Sequence, residues 1–112
     1  MPTYVAMFKY SADAMAAMIE HPAADRESAV KAVIESVGGS LESLYWMFGP
    51  HDGIVIVHAP DSLTMAGVSA AVGSTGAIQS EVHELFSTDD VRHVLETARR
   101  ARDHFARPGD TP

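Results

Sequence analysis

Two apolar, strand-favouring runs, residues 41–48 (LESLYWMF) and 54–59 (IVIVHA), are separated by only Gly49-Pro50-His51-Asp52-Gly53. A segment that short, built from turn residues, leaves no room for a helix or a crossover, so the two runs must fold back on each other as an antiparallel hairpin. Pairing Phe48 with Gly53 sets Ser43 opposite His58, Tyr45 opposite Ile56 and Met47 opposite Ile54. The rest of the chain arranges itself around this hairpin. Upstream, Thr3 to Tyr10 (TYVAMFKY) reads as a strand. Helical spacing follows behind the capping oxygens of Ser11 and Asp13, breaks at His21-Pro22, resumes near Asp25 and ends at Gly38-Gly39. Downstream, Pro60-Asp61-Ser62 opens a helix whose small residues Ala66, Gly67, Ala70 and Ala71 let it lie close to a sheet. Residues 77–86 form a fourth strand. Ser87 and Asp90 form a capping box for a last helix with an apolar stripe at Val91, Val94, Leu95, Ala98 and Phe105.

The order is β-α-β-β-α-β plus a terminal helix, the split βαβ arrangement of an α+β, ferredoxin-like fold, with β1 and β3 central and β2 and β4 at the edges. A length of 112 residues suits one domain, here 1–107, with 108–112 read as a flexible tail. Helices cover one sheet face in this arrangement. Strand alternation assigns Leu44, Trp46, Phe48, Val55, Val57, Ile78, Val82 and Phe86 to that covered face. The other face collects Ser43, Tyr45, His58, Gln79, Glu81 and His83 among Met47, Ile54, Ile56 and Leu85, too apolar for open water and too polar for a plain core. A homodimer closing two such faces around a cavity satisfies both facts. Both parities of the first strand remain open.

The chain has no cysteine, which excludes disulfides, thiolate metal sites and a cysteine nucleophile and fits a reducing, cytoplasmic setting. No segment reads as a signal peptide or a membrane span. The net charge of −7 sits on residues 1–87, where Lys9, Arg26 and Lys31 face ten acidic residues. Such a body repels phosphate backbones and excludes nucleic acid as a partner. Arg92, Arg99, Arg100, Arg102 and Arg107 come later and read as a solvated helix face that complements the helix dipole.

Several pieces together resemble the GYD domain family over residues 2 to 95. They are the opening PTYVAMFKY, the Pro22 break, the Gly38-Gly39 helix end, Leu44-Tyr45-Trp46, Phe48-Gly49-Pro50-His51-Asp52 and Val55-Ile56-Val57-His58-Ala59-Pro60-Asp61. The naming motif is represented by Gly49 and His51-Asp52, with histidine in place of tyrosine. The resemblance implies the dimeric α/β-barrel superfamily, whose members include cofactor-free monooxygenases, isomerases, haem-degrading enzymes and stress proteins. Fold alone does not carry a reaction across such a group.

Six histidines invite a metal or acid–base hypothesis, yet their spacing forms no dense ligand motif, so no metal and no cofactor is expected. His58, Glu81 and His83 are the candidate catalytic group, since parity points all three into one cavity and brings them near one another. The structural alternative is that they bond each other and water in a dimer interface. Tyr45, Trp46, Ser43 and Lys9 are candidate substrate contacts, with packing or solvation as their plainer roles. The expected function is binding of a small hydrophobic metabolite, with cofactor-independent monooxygenase or isomerase/cyclase chemistry as its catalytic form. The alternative is a non-catalytic accessory or stress-related protein with a filled barrel.

Overall fold

The computed structural model describes residues 1–110. Its elements are β1 (Thr3–Tyr10), α1 (Ala12–Glu20), α2 (Arg26–Ser36), β2 (Ser40–Trp46), β3 (Gly53–His58), α3 (Ser62–Ser74), β4 (Ile78–Leu85) and α4 (Thr88–Arg102). The strands pair antiparallel in the order β2-β3-β1-β4, the expected ferredoxin-like sheet. The tail expected at 108–112 falls partly outside the described residues.

Local chemistry sets the boundaries. Ser11, Asp25, Asp61 and Ser87 each accept a backbone N–H from the first turn of the helix they precede. Ser87 and Asp90 complete a reciprocal capping box. At the end of α2, Gly38 takes φ +85°, and the Gly39 N–H reaches back to the Ile34 carbonyl at 3.0 Å. That is the Schellman closure, which glycine enters without strain.

Tyr4, Phe8, Tyr10, Val55 and Val57 from the sheet meet Ile34 of α2 and Met65 of α3 to form the core. Alternation resolves β1: Tyr4, Ala6, Phe8 and Tyr10 face the helices, and Val5, Met7 and Lys9 face the other way. Gly53 sits under the Phe8 ring, which a Cβ would strike. The expected faces of β3 and β4 hold except at Phe86, which was assigned to the covered face but lies beyond the end of β4 at Leu85 and is mostly exposed.

Three expectations need correcting. The hairpin register is displaced by two residues: Trp46, not Phe48, pairs with Gly53, Tyr45 lies opposite Ile54, and Ser43 opposite Ile56. Asp52 causes this, because its N–H bonds to the Phe8 carbonyl at 2.7 Å and its carbonyl takes the Met47 N–H at 3.0 Å. The ladder thereby continues to Met47 and Asp52, and Phe48, assigned to the covered face, is left in the loop and mostly exposed. A shift of two preserves side-chain parity, so the faces survive the error. Second, Ala66, Gly67, Ala70 and Ala71 of α3 point to solvent, while Met65, Val68, Ser69 and Val72 face the sheet. Third, the apolar stripe of α4 has no buried member among the described residues: Leu95 is well exposed, and Phe105, expected on the stripe, lies beyond the helix end at Arg102 and is exposed too. The radius of gyration is consequently 18.3 Å, against about 13 Å for a compact domain near this length.

Candidate functional site

The sheet has two faces of different chemistry. On the face without helices, Val5 and Met7 of β1 lie between Ile54 and Ile56 of β3 and Glu81 and His83 of β4. The apolar centre is half-buried in the single chain and Tyr45 stands exposed at its margin.

Polar groups gather at opposite ends of this face. At one end the His58 Nδ1 lies 3.1 Å from the Thr3 hydroxyl and its Nε2 lies 3.0 Å from Glu42 Oε1. This pattern fits the Nε2–H tautomer, with Thr3 donating to Nδ1 and Nε2–H donating to Glu42. Glu42 reaches His58 because the β2–β3 register is broken between Leu41 and Ser43, a bulge that re-aims a side chain. At the other end, Glu81 lies 3.7 Å from both His51 and His83, beyond hydrogen-bond reach. Beside it the Lys9 ammonium donates to Asp52 at 3.0 Å and to the Gly49 carbonyl at 3.2 Å.

Asp52 is the buried charge among the described residues, at 2% exposure. Its second oxygen accepts the Tyr10 N–H at 2.9 Å. That backbone bond, then the Lys9 bond, holds its carboxyl below the ordinary range against the opposing effect of burial. Asp52 thus fastens the hairpin loop to the end of β1. This is a structural clamp, in keeping with the turn role its position suggests.

The candidate catalytic group is therefore divided. Glu81 and His83 are neighbours, but His58 bonds Glu42 and Thr3 instead, and His51 takes the third place beside Glu81. His58 is half-buried as expected, whereas His83 is exposed in the single chain at 57%. Of the candidate substrate contacts, Ser43 and Tyr45 lie on the face without helices, Lys9 is engaged by Asp52, and Trp46 faces the helix side. Among the described residues no group of three His, Asp or Glu side chains could hold a metal ion.

The other face holds what strand parity did not reveal. Between the sheet, α2 and α3 lies a cavity of about 320 Å³, large enough for a small-molecule ligand. Its walls are almost wholly apolar: Phe8, Val55 and Val57 form the floor, Val30 and Val33 line α2, and Val68 and Val72 line α3. The space exists because α2 packs on β2 and α3 on β4, leaving the middle of the sheet between them. Polar groups are few. The Ser69 and Ser80 hydroxyls satisfy each other at 3.1 Å.

Arg26 is the exception. Its guanidinium lies over the Tyr10 ring, 5.8 Å from the centroid, and Tyr10 stacks on Trp46 at 6.3 Å. Its Nε is buried without a hydrogen-bond partner among the described residues. Arg26 also borders an adjoining groove that includes Met18, Pro22, Trp46 and Phe48, so it stands at the passage between the two spaces. Sequence reasoning passed over this residue, although a signal was present. It is the one arginine of residues 1–87, placed in the first turn of α2, where the helix dipole disfavours a cation.

Among curated proteins no match was found. Among solved structures, the chain is similar to TTHA0845 from Thermus thermophilus, with 17% identity and a TM-score of 0.49, covering 79% of this chain and 96% of that one. The sequence profile of the GYD domain matches residues 4–95, from the start of β1 to the middle of α4. This span includes the Asp52 clamp, both polar clusters apart from Thr3, and the cavity walls, and the chain belongs to the GYD domain family.

Proposed function

We propose that this protein is a small-molecule-binding homodimer that holds a hydrophobic metabolite between the sheet and the α2–α3 layer. The observation that carries the reading is the apolar cavity of about 320 Å³. Among the described residues no carboxylate, imidazole or amine lines the cavity, so its walls support binding better than proton-transfer catalysis. His58, Glu81 and His83 lie on the opposite sheet face and belong, in this reading, to the dimer contact.

The homodimer is supported by the sheet face around Val5, Met7, Ile54 and Ile56. Apolar surface of this kind, ringed by polar groups, is characteristic of an association site. Packing two such faces gives a dimeric α/β barrel. The stripe of α4 adds further apolar surface for a second copy to cover.

Freshly purified protein, sprayed under native conditions, is expected to retain a small organic molecule or to take up a neutral fluorescent naphthylamine with a blue-shifted emission. A protein that carries nothing and leaves the dye unbound at tens of micromolar overturns the reading.

A further inference from the structure

We infer that the ligand of the α2–α3 cavity ends in a single anionic group, a carboxylate, that is held by Arg26. The inference rests on the reading of the cavity as a ligand site and adds the chemistry of its mouth.

Three observations carry it. The apolar walls specify an apolar body for the ligand, because a polar molecule placed there would lose its water without replacement. Arg26 is the one charged side chain among the described residues that line the cavity. It enters no ion pair among the described residues, and its buried Nε lacks an acceptor there. The guanidinium carbon stands over the Tyr10 ring, 5.8 Å from its centroid, a contact that leaves the N–H donors unspent, and a carboxylate is the acceptor that a guanidinium can bind with two parallel bonds.

The surroundings limit that acceptor to one charge. Asp25 and Glu27 flank Arg26 in sequence and border the adjoining groove, and residues 1–87 as a whole are strongly acidic. A lone cation in such a field suits a monoanion, whereas a phosphate dianion would be repelled. The first turn of α2 supports the same sign, since its dipole favours negative charge there.

The test uses the full chain and displacement of the neutral naphthylamine dye by decanoate and by decanol, which share an alkyl body and differ in the head. Decanoate is expected to displace the dye at a concentration about tenfold lower than decanol. In Arg26→Gln that advantage should vanish with decanol unaffected, and Arg26→Lys should keep part of it. Equal potency of acid and alcohol in the parent protein, or an acid advantage that survives Arg26→Gln, overturns the carboxylate assignment while leaving the cavity reading in place. Failure of both compounds and of the dye overturns both. Thermal melts of the two variants exclude misfolding as the cause of lost binding.

Discussion

Asp52 and Arg26 share one property at the residue scale: each is explained by a partner far away in sequence. Asp52 accepts from Tyr10, and its carboxyl is held below the ordinary value of 3.8 by that N–H first and Lys9 second. A carboxyl depressed in the folded state contributes stability above its unfolded pKa, and the contribution is lost as pH falls through the folded value. The urea midpoint should therefore decline once pH drops below about 4, and Asp25, lowered by the Ser28 hydroxyl and then its N–H, and Asp61, lowered by the Thr64 N–H and then its hydroxyl, act in the same direction. In Asp52→Asn the midpoint at pH 7 should be lower and the acid limb shallower. An acid limb superimposable on the parent's would remove Asp52 from this account. The turn role of Asp52 was legible from its Gly-Pro-x-Asp-Gly setting, but its bonds to β1 were not, because no local pattern reports a partner 42 positions away. The same gap displaced the hairpin register. Arg26 was legible only as an anomaly of charge at a helix start.

Capping and period decide the elements, and both are local, which is why the elements were readable. Ser11, Asp25, Asp61 and Ser87 occupy the cap positions that spacing predicts, and Gly38-Gly39 closes α2 as expected. What each helix covers was less accessible. The small residues of α3 suggested close contact with the sheet, yet they lie on its outer side while larger residues span to the floor. That spacing leaves room for the cavity. For α4, a helix of 15 residues with no buried side chain leans heavily on its own end chemistry. Ser87→Ala should weaken it by about 1 kcal/mol. Amide exchange across residues 88–102 would then speed up roughly fivefold, with β1 amides unchanged. Unaltered exchange in α4 would mean that packing, not the cap, holds it.

For the whole molecule, an extent of 61 Å and a sheet face without helices are the features on which the proposed homodimer rests. Light scattering at micromolar concentration should return twice the 12.0 kDa chain mass, and a particle of single-chain mass would overturn the dimer. Period-two alternation made the composition of the helix-free face legible without any structure. It could not expose the cavity, whose existence depends on the distance between two helices rather than on the pattern of any one strand. The alternation of β1 has a further consequence. Val5 and Met7 look toward the proposed second copy while Ala6, Phe8 and Tyr10 border the cavity, so one strand is a partition between two tasks. On that proposal, natural selection could retune the held molecule at even positions without disturbing the proposed contact at odd ones.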